Sequence, residues 1–370
     1  MSIVTTPKEI LLMIFGQLEV SDLVRVSETC RHLKEVARDP LLWKKLTLSY
    51  EKIKNNNEAC RNHVSRCSSL REIYITGEEK VISSDKIMAV LMKAKNNLTS
   101  IILSPSFVGL SNTSFIKIGD MTQLTHLAVD GGKLGPVGIK ILACLKELKS
   151  LKVPGIKSGN FVVSSNDDFI ITPMMTALGD LFRVLKKLEV VEIKTDWDYP
   201  SDLVVRNLVN NNPNLHHLDI STSRRHIRTF DELSWGSLIL LANKCPQLTY
   251  IGIGNLTMFT STSITNLVTQ CPNLKHANFE KTKVDDNALS IMSKNCPDLE
   301  FLNISGCRSV TEDGLEAFVY PASEANLKYL DIGIGFDICL FIRLKYCLPN
   351  LKIVAGSDED DHNEEDEGPL

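Results

Sequence analysis

Few combinations of side chains in this sequence could carry out catalysis. Asp167-Asp168 and Asp285-Asp286 are neighbouring carboxylates, but each pair stands in a turn before a predicted helix, where aspartate commonly caps the helix amino end. His216 and His217 are adjacent in a predicted strand, so their rings point to opposite faces and cannot bind one metal ion together. The sequence contains no glycine-rich phosphate loop, nucleophile elbow or His-Glu metal motif. We therefore predict a protein that is not an enzyme.

Ten cysteines are spread over the 370 residues, and none forms a C-x-x-C pair. This dilution, in a chain without a secretion signal, favours reduced thiols over a disulfide framework. Cys60 and His63 have the spacing of two zinc ligands, but no second pair completes a set of four at the usual separations. We expect no metal and no other cofactor.

Charge and hydropathy narrow the class of protein further. No run of eighteen apolar residues occurs, and the first residues lack a signal peptide, so we expect a protein of the cytoplasm or nucleus without membrane contact. Eight acidic residues lie in the segment 357–370, which is predicted to be a disordered tail. Removing these eight from the net charge of -4 leaves about +4, which does not indicate nucleic-acid binding.

Spaced apolar residues organise most of the chain. The pattern L-x-x-L-x-L, with other apolar residues allowed, recurs from Trp43 to a worn last copy at Leu351 and Val354. The steps between first positions are 27, 28, 26, 24, 40, 27, 33, 26, 25, 28 and 24 residues. Each copy predicts a short strand, followed by a turn and a helix, as in the segment 310–318. Nine of the eleven steps fall in the range typical of leucine-rich repeats.

The later copies resemble cysteine-containing leucine-rich repeats. Cys245-Pro246, Cys271-Pro272 and Cys296-Pro297 stand just before strands, where proline prevents the preceding helix from continuing. Thiols at one repeated position are predicted to be buried packing groups, not redox centres. The predicted fold class is α/β: a right-handed horseshoe of about 12 leucine-rich repeats over residues 43–356, preceded by a small all-α domain.

The small all-α domain is predicted over residues 1–46. Thr6-Pro7-Lys8-Glu9 has the pattern of a capping box, which predicts a helix from Pro7, and Ser21-Asp22 could cap a second helix. The string Pro7-x-Glu9-Ile10-Leu11-x-x-Ile14-Phe15-x-x-Leu18, followed by Asp22-Leu23, Cys30-Arg31 and Leu42-Trp43, resembles an F-box. The chain departs from the family pattern at Thr6, where leucine is usual, and at Leu33, where tryptophan is frequent.

An F-box implies a partner. Members of this family bind the SKP-type adaptor of an SCF ubiquitin ligase and, through it, a cullin-RING ligase. The residues that carry the match, and would bind the adaptor, are Pro7, Ile10, Leu11, Ile14, Phe15, Leu18 and Leu23. The sequence leaves open which of them face the adaptor and which face the core. A simpler interpretation is a helical cap that shields the end of the repeat stack.

A second predicted surface follows from strand alternation, because residues between the repeat leucines point away from the core. At the third position of five successive copies these residues are the rings His217, Tyr250, His276, Phe301 and Tyr329. The polar residues two positions further on are Asp219, Asn278, Asn303 and Asp331. Rings beside small polar groups are typical of recognition surfaces, so we predict that a target protein binds here. The alternative is that the rings only cover the inner, concave surface of the repeat stack and bind nothing.

Two long steps suggest loops that would extend this surface. One follows Pro154 and the other follows Ser221, and they flank a copy whose loop carries Trp197 and Tyr199. The second insertion contains Arg224, Arg225 and Arg228, a cluster suited to carboxylate or phosphate groups, such as a phosphorylated degron. A solvated basic loop is the ordinary alternative.

These features predict the substrate-recognition subunit of an SCF-type ubiquitin ligase, which links an adaptor to an unknown target protein for ubiquitination. Two other functions stay open at this point. The chain could be an interaction scaffold that works without the adaptor, or a receptor gated by a small molecule held among the repeats.

Overall fold

The computed structural model describes residues 6–49, 69–76, 88, 91–103, 110–129, 134–156, 173–195, 201–222, 235–319 and 326–355. The chain forms two compact units: unit 1 comprises residues 1–161 and 176–188, and unit 2 comprises residues 162–175 and 189–370. Several predicted features lie outside the described residues: the acidic tail, Cys60, His63, Asp167-Asp168, Trp197, Tyr199, Arg224, Arg225 and Arg228. Within the described part of the chain, no helix has the length and apolar character needed to cross a membrane.

Unit 1 begins with a small helical domain, as predicted. Its elements are α1 (Lys8–Phe15), α2 (Val20–Thr29), α3 (Arg31–Ala37) and a 3₁₀ helix (Pro40–Trp43). Its apolar core contains Leu11, Phe15, Leu23, Leu33, Val36 and Trp43. The buried Trp43 Nε1 donates a 2.7 Å hydrogen bond to the carbonyl of Ala37, so the indole is both packed and satisfied.

The starts of α1 and α2 differ from the capping predictions. Pro7 precedes α1 with ψ at 144°, and its carbonyl accepts the first helical bond, 3.1 Å from the amide of Leu11. The backbone of Glu19 is extended in the same way before α2, so Ser21-Asp22 falls inside the first turn. Neither Pro7 nor Glu19 makes a side-chain cap bond. The predicted capping box was therefore wrong by one residue, because the backbone turn at Pro7, and not the Thr6 side chain, sets the start.

The rest of unit 1 repeats a strand and a helix. Its strands are β1 (Lys45–Ser49), β2 (Glu72–Thr76), β3 (Ser100–Leu103), β4 (His126–Ala128) and β5 (Ser150–Lys152). Neighbours pair in parallel and in register, so that the third repeat positions stand side by side as Lys45, Glu72, Ser100, His126 and Ser150. The described helices that follow are α4 (Asn112–Gly119), α5 (Pro136–Leu142) and α6 (Pro173–Val184), the last of which belongs to unit 1 from residue 176 onward.

Unit 2 continues the same plan. Its strands are β6 (Val190–Glu192), β7 (His217–Asp219), β8 (Tyr250–Gly252), β9 (His276–Asn278), β10 (Phe301–Asn303), β11 (Tyr329–Asp331) and β12 (Lys352–Val354). Its helices are α7 (Asp202–Asn211), α8 (Trp235–Lys244), α9 (Ser261–Gln270), α10 (Asp286–Asn295), α11 (Glu312–Glu316) and α12 (Ile338–Cys347). Each strand pairs in parallel with the next, so the predicted α/β repeat fold is confirmed.

The repeated cysteines pack between successive repeats of unit 2. Cys245, Cys271 and Cys296 are buried, and each thiol lies 3.6–3.8 Å from a main-chain carbonyl oxygen of the preceding repeat. Burial raises the pKa of Cys245 to about 11 and the pKa of Cys271 and Cys296 to about 12. A thiol this hard to ionise is a poor nucleophile. The prediction that these thiols are packing groups is confirmed.

Asp285 also has the structural role that its position predicts. Its side-chain oxygen accepts a 2.9 Å hydrogen bond from the amide of Ala288 at the start of α10. The neighbouring Asp286 accepts bonds from the amide and the hydroxyl of Thr311 in the next repeat, at 2.8 and 2.7 Å. This pair of carboxylates therefore caps a helix and joins two repeats.

Candidate functional site

The first helix of unit 1 has apolar side chains on two faces. Leu11 and Phe15 are 0% and 2% exposed, and α1 packs against α3 and the 3₁₀ helix, which close the core of the domain. Ile10, Met13 and Ile14 are 48%, 75% and 47% exposed, and we call these three residues the α1 outer face. Residues at i, i+3 and i+4 lie on the same side of a helix, so they form one apolar surface. Nothing in the described part of unit 1 covers it.

The predicted adaptor-binding residues divide between this surface and the core. Pro7, Ile10 and Ile14 are exposed, and Leu18 is half-buried. Leu11, Phe15 and Leu23 are buried, so in this structure they hold the helices together and cannot touch a partner directly. Met13 belongs to the surface and was missed, although its helical spacing from Ile10 is a readable signal.

An ion pair braces the same part of unit 1. Lys8 Nζ, at the start of α1, lies 2.6 Å from Asp39 Oδ2. Their hydrogen bond and opposite charges raise the pKa of Lys8 and lower the pKa of Asp39. The other Asp39 oxygen accepts a 3.1 Å bond from the amide of Leu41, whose side chain is 57% exposed. Asp39 therefore fixes the backbone that presents Leu41 as a further apolar side chain.

The five predicted rings of unit 2 form a continuous stack. The strand register pairs His217 with Tyr250, His276, Phe301 and Tyr329 in that order. Successive ring centroids are 3.9, 5.8, 5.9 and 4.6 Å apart, and the interplanar angles are between 6° and 28°. We call these five residues the ring ladder. Parallel strands in register impose this arrangement, because equivalent side chains stand one strand spacing apart on the same face.

Buried charge supports the first half of the ring ladder. The Asp219 side chain is 1% exposed, and its Oδ2 lies 2.9 Å from Lys194 Nζ and accepts a 3.2 Å bond from the Tyr250 hydroxyl. Burial raises the pKa of Tyr250, and the negative charge of Asp219 raises it further. The phenol is therefore a fixed hydrogen-bond donor at neutral pH. A Cβ at Gly252 would stand 2.5 Å from the Asp219 carboxylate, so glycine keeps the space that this carboxylate needs.

A close contact with a second carboxylate lies at the start of the ring ladder. His217 Nε2 is 2.8 Å from Glu192 Oε1, but the two atoms are not aligned for a hydrogen bond. The face of the His217 ring packs on Tyr250 at 3.9 Å. This imidazole is therefore held between a carboxylate and a phenol ring.

The polar residues beside the rings have a local task that the sequence prediction did not anticipate. One side-chain oxygen of Asp219, Asn278, Asn303 and Asp331 accepts the main-chain N–H two residues further on, at 2.9–3.3 Å. These Asx turns close the carboxyl ends of the strands. In Asn278 and Asn303 this bond uses the amide oxygen and not the amide N–H groups, which can donate to a bound molecule.

One further residue extends the ring ladder beyond the predicted set. β12 pairs Lys352 with Tyr329, and Lys352 Nζ lies 5.6 Å from the centre of that ring, within reach of a cation–π interaction. The sequence pattern took Leu351 and Val354 as the first and fourth positions of the last copy, which would make Ile353 the third. The strand pairing instead makes Lys352 the third position, one residue earlier. The last copy has too few apolar residues for the sequence to define its alignment. The hydrogen bond from the amide of Ile332 to the carbonyl of Val354 defines it in the structure.

Two comparisons with known proteins bear on these surfaces. An F-box-like family model matches residues 7–49, the segment that contains the α1 outer face. A chain in the crystal structure of the Rad7 and Elc1 complex from yeast is similar in fold, with a TM-score of 0.61. That likeness covers 95% of this chain and 94% of the other chain at 14% sequence identity. The amino end is therefore an F-box-like domain, and the fold as a whole recurs in a solved protein.

Proposed function

We propose that this chain, an F-box-like domain followed by leucine-rich repeats, is the non-catalytic substrate-recognition subunit of an SCF-type ubiquitin ligase. The F-box-like domain binds a SKP-type adaptor, and the repeats hold a target protein for ubiquitination. The observation that carries the proposal is the α1 outer face, which exposes three large apolar side chains within the segment matched by the F-box-like model.

Apolar exposure of this kind favours a partner over a simple cap. A cap on a repeat stack needs a polar outer surface to stay in solution. Here Met13 is 75% exposed between two half-exposed isoleucines, and Leu41 is exposed nearby in the same domain. Contiguous apolar surface rimmed by charged residues such as Lys8 and Glu9 is typical of protein-binding sites. The structurally similar yeast chain was crystallised in a complex, that of Rad7 and Elc1.

The ring ladder supports the target-binding half of the proposal. Its rings are partly exposed, and they are held in place by one another, by the strand register and by Asp219. Preorganised aromatic side chains lose little conformational entropy when a partner binds, and they account for many interface hot spots. The chemistry of ubiquitin transfer would then take place on other subunits of the ligase.

Co-purification with a SKP-type adaptor tests the first half. We expect Ile14→Asp to reduce adaptor affinity at least tenfold, equivalent to about 1.4 kcal/mol, because binding would bury an unpaired charge. Ile116→Asp is a matched control, since Ile116 is 51% exposed on α4 and lies outside the F-box-like segment. Equal adaptor binding by the wild type and Ile14→Asp would refute the adaptor role and favour a scaffold that acts without it.

Affinity capture under proteasome inhibition tests the second half. We expect Ile14→Asp to lose the adaptor and keep target proteins, whereas the triple variant Tyr250→Ala, His276→Ala, Phe301→Ala keeps the adaptor and loses the targets. Circular dichroism of the triple variant checks that the repeats remain folded. Loss of the same proteins from both variants would show that the two surfaces do not divide the work in this way.

A further inference from the structure

We propose that the ring ladder binds an amphipathic α-helix of the target, laid across the strands, with a basic side chain of that helix paired with Asp331. This inference rests on the proposed function, in which the ring ladder holds the target, and it specifies the kind of element that is held. Three features of unit 2 support it: the spacing of the rings, their mutual stacking and a carboxylate without a cation partner among the described residues at one end.

The spacing of the rings matches a helix better than an extended segment. Neighbouring strands are roughly 4.8 Å apart, and the observed ring centroids are separated by 3.9–5.9 Å. A helix advances about 5.4 Å per turn and presents one side chain per turn on a given line. An extended chain presents side chains on one face every 6.6 Å or so. Over the four ring-to-ring steps, the side chains along a helix fall out of alignment with the strands by about 2 Å in total. Those of an extended chain fall out of alignment by about 7 Å.

The stacking of the rings restricts where a bound segment can lie. A planar group inserted between two rings needs about twice 3.5 Å of separation. The largest gap, between His276 and Phe301, is 5.9 Å. The target must therefore rest on the ring edges without entering the stack. Apolar side chains spaced along one side of a helix can cover such a row of edges without displacing any ring.

Asp331 is the feature that selects a basic side chain. Among the described carboxylates at the strand ends of β7 to β11, Asp219 pairs with Lys194, whereas no described cation lies within 4.0 Å of Asp331. Asp331 is half-buried, and Glu280 contributes a second negative charge nearby. Burial, together with Glu280, raises the pKa of Asp331, which reflects the cost of an uncompensated charge. A lysine or arginine of the target would relieve that cost, and its aliphatic part could pack on Tyr329.

The charged groups near Asp331 are already engaged and leave it available to this side chain. Tyr329 stands two residues before Asp331 on β11, and Lys352 is occupied over the face of the Tyr329 ring. Glu280 is itself within 3.2 Å of Lys281 and so is already partly neutralised. Asn303 offers its amide N–H groups on the neighbouring strand, where they could bind a carbonyl or hydroxyl of the helix. Asp331 is thus the group left for a cation to pair with.

A peptide library displayed on phage tests this inference even while the target protein is unidentified. Random 16-residue peptides are selected on the full chain in complex with its adaptor and counter-selected on the Tyr250→Ala, His276→Ala, Phe301→Ala variant. We expect the enriched peptides to share apolar residues at spacings of three and four, with a lysine or arginine near one end. Synthetic copies should become helical on binding, as measured by circular dichroism.

Substitutions at the carboxylate complete the test. Fluorescence anisotropy should show that Asp331→Asn weakens binding of these peptides about tenfold. Asp298→Asn, which removes an exposed carboxylate elsewhere in unit 2, should leave binding unchanged. Peptides with alternating apolar residues, or without a basic preference, would overturn the helix inference while target binding at the ring ladder stands. If no selected peptide depends on the ring ladder, the target-binding role of the surface fails as well.

Discussion

The α1 outer face and the ring ladder, the two surfaces proposed to bind partners, are built in different ways. On the α1 outer face, Ile10, Met13 and Ile14 project from a helix whose other side is anchored in the core, and their apolar side chains have no polar group to direct them. In the ring ladder, every ring touches a neighbouring ring, and Tyr250 is tied to a buried carboxylate. Under the proposed function, the first surface would gain affinity from the removal of apolar area from water, whereas the second would be preorganised for selectivity. The proposed receptor role would use both surfaces, because the adaptor would be constant and the target would have to be chosen.

The sharpest contrast is expected between the two faces of α1. Leu11→Ala should destabilise unit 1 by about 2–5 kcal/mol, because Leu11 is fully buried and its truncation leaves a cavity. Ile14→Ala should change stability by less than about 0.5 kcal/mol, because Ile14 already stands half in water, yet it should weaken adaptor binding. Chemical denaturation and adaptor titration measure the two quantities. Comparable losses of stability in both variants would mean that α1 has no free face.

Comparing alanine substitutions at two glycines, Gly252 and Gly254, tests how far the arrangement of the ring ladder depends on Asp219. Gly252→Ala should cost about 1–3 kcal/mol, because its Cβ would stand 2.5 Å from the Asp219 carboxylate and disturb the bonds to Lys194 and Tyr250. Gly254→Ala is the control, since its Cβ would meet Asn278 and Glu280 at ordinary contact distances of 3.4 Å. Thermal unfolding and target binding should separate the two variants. If they behave alike, the support that Asp219 gives to the ring ladder is not required.

The smallest effect concerns Asp331 and has a definite sign. Its pKa is raised in the folded state, so the folded protein binds this proton more tightly than the unfolded chain does. The charged form therefore destabilises the fold at neutral pH, and this cost disappears as the pH falls through the raised pKa toward the ordinary value of about 3.9. Asp331→Asn should raise the melting temperature at pH 7 and match the wild type below pH 4 or so. A lower melting temperature for Asp331→Asn at pH 7 would indicate an unrecognised cation partner.

Strand alternation and repeat length made the ring ladder predictable from sequence. Once the repeat leucines were aligned, the positions of Tyr250, His276 and Phe301 followed, because a parallel sheet in register leaves no choice of neighbour. The prediction failed at the last copy, where few apolar residues remained and Lys352 was missed. The Asx turns were also missed, because an Asp or Asn that points to solvent in a pattern can still fold back on its own backbone.

The helical domain was less predictable for a different physical reason. Ile10, Leu11, Ile14 and Phe15 occupy an arc too wide for one interface, so helical periodicity alone could not say which of them meets the core. The answer depends on where α3 and Trp43 pack, which is tertiary information. The capping prediction failed because Pro7 makes the turn into α1 with its backbone alone. The resemblance of the motif string to an F-box identified the domain, and packing assigned the faces.

The three buried cysteines of unit 2 can report where the repeats separate from one another. Each of the three buried thiols lies against the main chain of the preceding repeat and ionises only with difficulty, so an alkylating reagent should reach it only when those two repeats separate. The order in which Cys245, Cys271 and Cys296 become labelled, read by peptide mass spectrometry, would therefore report where along unit 2 the stack first comes apart.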